Sequence, residues 1–322
     1  MAAGPAAPAL IVFGDSYTDA GYAGYGIHQV IHAALSTPEL DVGVYPVAPY
    51  RGGRLSNGLI FTEITATALG LELQSFSTAN AGSGAVPTHI YVPLPFGDQT
   101  TEGAFAVPSA LQQAQGYIAL HGGSINAADI VLIFIGTNDY MFSQPPGNYS
   151  TPPVDQVIAA IHETMMLAYQ AGAQRFVLVN LPPLETLPAL PGPNPFGPTS
   201  TIAAESAGDA WFSAAVPPHN AALQTLASQF PTQQANASVL LYDIYTLWAD
   251  VVATPANYGF KDSANPCLGL GQNNNLASGF ANTICPQPDA YVYWDLVHPT
   301  RHFHSLIAND FLAKLGPQLQ RI

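Results

Sequence analysis

Three stretches constrain the fold of this chain more than anything else in it: ALIVFG at 9–14, DIVLIFI at 129–135 and RFVLVN at 175–180. Each is a nearly unbroken run of Ile, Val, Leu and Phe. A strand with one wet face alternates apolar and polar residues, whereas a strand apolar throughout is covered on both faces. Two weaker runs, ELQSFST at 72–78 and SVLLYD at 238–243, extend the set to five. Helix-like stretches separate them. Residues 57–69 space Ile60, Ile64 and Ala68 helically, and 108–121 opens with Pro108, a common first-turn residue. Residues 154–172 bring Val157, Ile158, Ile161, Met165 and Ala168 to one face. Residues 202–229 read as a long helix broken near Pro217-Pro218, and 300–316 as a closing helix with Phe303, Leu306, Ile307, Phe311 and Leu312. This alternation predicts an α/β fold, a three-layer α/β/α sandwich on a five-stranded parallel sheet with right-handed crossovers. With no repeat and no disordered linker, residues 1–322 read as one domain, with loop insertions around 36–56, 86–108, 183–200 and 254–292.

Composition removes several classes of function. A formal net charge of −14 with only seven Lys plus Arg leaves no basic surface for nucleic acid. An anionic membrane surface repels such a chain, and no apolar run reaches the ~20 residues of a membrane span. Two cysteines, Cys267 and Cys285, lie in a Gly/Asn-rich loop without metal-spaced His. With two sequons, at Asn148 and Asn236, they favour a secreted, disulfide-stapled glycoprotein over a cytosolic protein with free thiols. Met1 precedes a core strand almost at once, as in a mature domain with its targeting segment removed and a start Met added. A monomer is expected.

In open α/β sheets ligands bind beyond the carboxyl ends of the strands. Polar or small residues sit there: Gly14-Asp15-Ser16, ANAGSGAV at 79–86, and Gly136-Thr137-Asn138-Asp139. WDLVHPT follows at 294–300. Acyl transfer needs a nucleophile, a base, an orienting acid and oxyanion donors. Ser16 suits the nucleophile, His298 the base and Asp295, three residues before it, the orienting acid. The Ser16 and Gly84 N–H groups and the Asn138 amide suit the oxyanion donors, with Gly82 as the alternative glycine. Each has an ordinary reading too. Ser16-Tyr17-Thr18-Asp19 fits a capping box, which would put Ser16 at a helix N-terminus, and GTND makes a good turn.

Taken in order, these segments resemble the blocks of the SGNH, or GDSL-type, hydrolases: FGDSYTDAG, AGSGA, GTND and DLVHPT, across residues 10–304. A finer resemblance is to fungal acetylesterases of carbohydrate esterase family sixteen, and to plant GDSL lipases and bacterial haemolysin-like lipases. It rests on GGRLSNG at 52–58, FVLVNLPPLETLP at 176–188, YGFKD at 258–262, the Cys pair and YVYWDLVHPTRHFH at 291–304. GRLSNGLIF departs from the aromatic-rich GRFSNG of those relatives, which bears on substrate rather than chemistry. The resemblance implies a flavodoxin-like strand order 2-1-3-4-5, an acyl-enzyme mechanism without cofactor or metal, and a small ester substrate. It implies an acetylesterase acting on acetylated xylo-oligosaccharides. The alternatives are a lipase or phospholipase with a longer acyl pocket, and an inactive carbohydrate-binding or interaction protein. Asp15, Asn57, Asp139 and Val297, which flank the motifs, are candidate substrate contacts. HGGS at 121–124 looks like a lipase oxyanion loop but reads better as a helix C-cap. His298, His302 and His304 lack the other ligands of a metal site, and His304 is expected to pack behind the catalytic residues.

Overall fold

The computed structural model describes residues 7–21, 24, 49–86, 88–93, 102–143, 150–188, 205–269 and 283–320. Its core is a parallel sheet of β1 (Ala9–Gly14), β2 (Glu72–Ser75), β5 (Ile130–Phe134), β6 (Arg175–Val179) and β7 (Ser238–Tyr242), in the order β2-β1-β5-β6-β7. That is 2-1-3-4-5 among the five, as expected. Burial follows position in the sheet. Every residue of β1, β5 and β6 is buried, whereas β2 and β7 at the edges are mostly half-exposed. The run at 72–78 reads weakly because it is an edge strand that stops at Ser75.

Right-handed crossovers send a connection leftward in the sheet to one face and rightward connections to the other. Helix α1 (Phe61–Leu69) joins β1 to β2, and the closing helix α7 (Arg301–Leu319) packs on it. Helices α2 (Ala110–Leu120), α4 (Val154–Gln170) and α5 (Glu205–Gln233) pack on one another in the other layer. Two short helices, α3 (Thr137–Ser143) after β5 and α6 (Ile244–Ala253) after β7, were not expected from periodicity. The first turn of α2 is capped by Ser109 and Gln112, so Pro108 precedes the cap instead of opening the helix.

The break expected at Pro217-Pro218 does not occur: α5 runs through both, and through Pro231. An interior Pro costs about 3 kcal/mol. Burial of Trp211, Phe212, Ala215, Val216, Leu223 and Phe230 along the sheet-facing stripe offsets that cost, and both prolines of the pair face solvent. The loops at 86–108 and 254–292 are not structureless. The first holds an antiparallel hairpin, β3 (His89–Pro93) and β4 (Glu102–Ala106). The second holds β8 (Asp262–Pro266), β9 (Leu268–Gly269), β10 (Thr283–Ile284) and β11 (Tyr291–Tyr293). Cys267 and Cys285 form the expected disulfide beside the β9–β10 pair. HGGS ends α2: His121 is the C-cap and the Gly123 amide donates to the Ile118 carbonyl. No described helix is long and apolar enough to cross a membrane.

Candidate active site

Strand β1 delivers its terminal residues to the rim of the sheet. Gly14 sits so close to its neighbours that a Cβ would lie 2.2 Å from Thr18 Oγ1 and 2.7 Å from the Phe134 carbonyl. The Gln113 amide grips the same residue from α2, accepting from its N–H and donating to its carbonyl, each at 2.9 Å. Beyond it the chain makes a tight turn and not a helix. Thr18 N–H donates to the Asp15 carbonyl at 3.0 Å, and Tyr17 N–H to Asp15 Oδ1 at 3.0 Å. The capping box expected of Ser16 is therefore absent, and so is a helix N-terminus at Ser16. Asp15 closes the turn, and Ser16 stays 9% exposed at its tip.

Asp295 and His298 meet as their spacing suggests. His298 Nδ1 lies 2.7 Å from Asp295 Oδ2 and 2.9 Å from Oδ1, with both side chains buried. Asp295 Oδ1 also accepts the amides of Val297 and His298 at 2.8 and 2.7 Å, and Oδ2 accepts the Tyr50 hydroxyl at 2.8 Å. Burial pushes this carboxyl up. The charge and hydrogen bond of His298 and the two amides more than offset that, holding it below its ordinary range. His298 Nε2 is buried and has no partner among the described residues, so one ring nitrogen is anchored and the other is available. Tyr17, next to Ser16, presents its ring to the His298 imidazole with centroids 5.9 Å apart, and its hydroxyl donates to the Val297 carbonyl at 3.3 Å. The nucleophile candidate is thus one residue from a direct contact with the candidate base.

The Gly and Asn segments are joined as well. Asn138, in the first turn of α3, donates through Nδ2 to the Ala81 carbonyl at 2.9 Å. Asp139 accepts the amide and hydroxyl of Ser83, both at 2.7 Å. With the Ser83 amide engaged, the flanking N–H groups of Gly82 and Gly84 are the remaining candidates for an oxyanion. Gly84 has φ +120°, a conformation that favours glycine whatever its chemistry, while a Cβ on Gly82 would approach Thr88 to 2.9 Å. Asp15 and Asp139 behave unlike Asp295. Burial raises Asp15 to about 8 despite its bond to the Tyr17 amide, and the nearby Asp139 charge adds to the rise. Burial likewise lifts Asp139 to about 6 against its bonds to Ser83.

Of the four candidate substrate contacts, three are buried and the fourth, Asn57, is half-buried. Asp15 and Asp139 expose no surface at all, and Val297 exposes 4%. Asn57 Oδ1 accepts the Arg301 amide at 2.7 Å, which ties the 49–58 loop to α7. Ser56 binds the Pro299 carbonyl from the same loop. His304 does pack behind the site: its ring stacks on Phe61, its Nδ1 accepts the Phe61 amide, and burial lowers it to about 3. Asn236 is exposed in a turn, and Asn148 lies outside the described residues. No cluster of His, Cys, Asp and Glu able to hold a metal occurs among the described residues. Tyr17 and Tyr50 are the site residues that sequence reasoning missed. Tyr17 borders the Ser motif and was within reach. Tyr50 lies 245 residues from Asp295 with no motif to connect them.

Comparison with known proteins adds a lineage. A family model described as GDSL-like Lipase/Acylhydrolase matches residues 10–311. GDSL esterase/lipase 7 of Arabidopsis thaliana is 26% identical, over 96% of this chain and 89% of the relative. GDSL esterase/lipase 6 of the same plant is 26% identical, over 94% and 85%. Among solved structures, a possible lipase from Chitinophaga pinensis aligns with a TM-score of 0.47 and 13% identity, over 97% of this chain and 99% of that one.

Proposed function

The chain belongs to the GDSL-like lipase and acylhydrolase family and is a carboxylic ester hydrolase, and we propose that it acts through an acyl-enzyme on Ser16 as a secreted acetylesterase of acetylated oligosaccharides. One observation carries the mechanism: His298 is anchored to Asp295 through Nδ1 and keeps a buried Nε2, without a partner among the described residues, on the ring that faces Tyr17, the residue after Ser16. In this reading Nε2 takes the Ser16 proton as Oγ attacks the ester carbonyl. Asp295 fixes the tautomer and stabilises the imidazolium. The Ser16 amide, the second Asn138 amide hydrogen and an N–H of the Gly82–Gly84 turn receive the oxyanion. His298 then returns the proton to the departing alcohol, and water repeats the sequence to free the acid.

The short-acyl, saccharide reading is supported by polarity. Among the described residues the exposed large apolar side chains are three, Leu59 in the loop before α1, Leu120 at the end of α2 and Ile284 in β10, against the broad apolar face of an interfacial lipase. The disulfide supports an oxidising compartment. The test is Ser16→Ala assayed on an aryl acetate, on acetylated xylo-oligosaccharides and on triglycerides of rising chain length. A loss of about 10⁴-fold or more on every substrate that the parent turns over is expected. Near-parental activity in Ser16→Ala would end the mechanism, and faster turnover of long-chain esters than acetates would replace the acetylesterase with a lipase.

A further inference from the structure

A groove of about 870 Å³ separates itself from the rest of this acidic surface. Arg51, Arg54, Asn57, Asp289, Arg301 and His302 contribute to its walls. Three of the chain's seven Lys and Arg residues therefore meet at one place in a protein of net charge −14. Two of the three are neutralised. Arg54 holds Glu63 through Nε and Nη2 and spends Nη1 on the carbonyls of Arg51 and Gly52. Arg301 holds Asp289 through Nε and Nη2. Arg51 differs: it is exposed, and among the described residues only its backbone forms hydrogen bonds.

The groups left over are one-sided. Arg51 offers a whole guanidinium fork, Arg301 its Nη1, and Asn57 the NH₂ end of an amide whose oxygen is already taken. All are donors. The exceptions are Ser305, whose hydroxyl gives its hydrogen to the Arg301 carbonyl and keeps its lone pairs, and His302, whose Nδ1 faces the Asp289 carbonyl at 2.6 Å; with Nδ1 as the donor, Nε2 keeps a lone pair for a hydroxyl. One positive charge uncompensated among the described residues, surplus donors and two hydroxyl acceptors describe the complement of a single sugar acid. A planar guanidinium fork matches a carboxylate bidentately. A dense polyanion is disfavoured by the field of the remaining surface. The groove is tied to the catalytic acid through the chain: Arg51 follows Tyr50, which binds Asp295, and Asn57 holds the amide of Arg301, three residues past His298.

We propose that this groove is a subsite for one sugar carboxylate, a uronic acid carried by the same saccharide whose ester is cleaved at Ser16. The proposal rests on the saccharide reading above, so its test has an arm that does not need turnover. Binding of glucuronate, glucose and inorganic phosphate to the full chain is measured by titration calorimetry, for the parent and Arg51→Ala. Glucuronate is expected to bind the parent in preference to glucose and phosphate, and about tenfold more weakly to Arg51→Ala. In the kinetic arm, acetylated xylo-oligosaccharides with and without a glucuronate branch are compared. Arg51→Ala is expected to raise KM about tenfold for the branched substrate alone, with kcat and aryl acetate hydrolysis unchanged. Equal glucuronate binding by both proteins, no glucuronate binding, or phosphate binding as tight as glucuronate each overturns the subsite. Hydrolysis of the aryl acetate but of neither oligosaccharide would sink the saccharide reading and the link to Ser16, while the calorimetric arm still decides whether the groove takes a carboxylate.

Discussion

Asp15 and Asp295 are both fully withdrawn from solvent at the same end of the sheet, yet folding moves them in opposite directions. Asp295 accepts two backbone amides, an imidazole and a phenol, and its carboxyl stays below the ordinary range. Asp15 accepts one amide on Oδ1, its Oδ2 has no partner among the described residues, and burial lifts it to about 8. Burial is common to both, so the neighbours decide: the His298 charge and the donors hold Asp295 down, while Asp15 has one amide and the like charges of Asp139 and Asp19. The proposed acyl-enzyme chemistry wants this difference. A charge on Asp295 stabilises the imidazolium, whereas a charge on Asp15, next to Ser16, would oppose the oxyanion formed there. One buried carboxyl is pushed toward its ionised form and the other toward its neutral form.

Removing the charge that is wanted has the largest effect. Asp295→Asn preserves shape but lets the amide favour the wrong His298 tautomer, and kcat is expected to fall by about 10⁴-fold. Because the Asp295 carboxyl is held down, its contribution to the parent is present at and above the ordinary carboxylate range and is lost only as pH falls through a value below it. Turnover of an aryl acetate tests the first point and denaturation midpoints of parent and variant across the acid range the second, and a mere tenfold loss of kcat in Asp295→Asn would mean that His298 is oriented by something else.

Weakening one donor to the same carboxyl has a smaller effect. Tyr50→Phe removes the hydroxyl bond to Asp295 and leaves the ring packed on Trp294. The expected result is a loss of about tenfold in kcat with KM unchanged. If KM rises and kcat holds, Tyr50 shapes the substrate pocket and does not position Asp295.

The two carboxyls also differ in how much of their setting the sequence displays. The Ser16 side hangs from β1, a strand declared by an unbroken apolar run, and Gly14, Asp15 and Ser16 follow from where that run ends. What the local pattern misread was the next turn. S-x-x-D suggests a helix cap, but Asp15 wins the Tyr17 amide and no helix begins at Ser16. On the other side, spacing alone joins Asp295 to His298, and the Val297 and His298 amides support it locally, but the other contacts that hold the pair are remote in sequence. Tyr50 reaches Asp295, Ser56 reaches Pro299, and Asn57 reaches Arg301. The amides of Cys267 and Leu268 donate to the carbonyls of Tyr293 and Trp294, which places the disulfide hairpin against the strand leading into Asp295. Periodicity reports faces within an element and carries no information on such pairings. The same limit hid α3, too short for a period, and the passage of α5 through Pro217-Pro218, which tertiary burial decides.

The smallest effect on turnover, and the sharpest test of the contrast, is expected from Asp15→Asn. The amide imitates the neutral carboxyl and keeps the oxygen that accepts the Tyr17 amide, so activity near pH 6 should be close to parental. Stability should separate the two proteins instead. Folding raises Asp15 from 3.8 to about 8, so the folded state holds this proton more tightly than the unfolded chain. That contribution is complete below pH 3.8, shrinks as pH rises, and is gone once pH passes about 8. An asparagine does not titrate. Asp15→Asn should therefore gain on the parent steadily as pH rises from 4 to 8, read as the difference in denaturation midpoint at each pH. A difference that stays flat across that interval would show that Asp15 is ionised in the folded protein, and the opposition between the two carboxyls would collapse. His219 and His304 supply the mirror-image control. Burial lowers both from 6.5 to about 3, so they bind protons more readily in the unfolded chain and weaken the fold as pH falls below 6.5, in parent and variant alike.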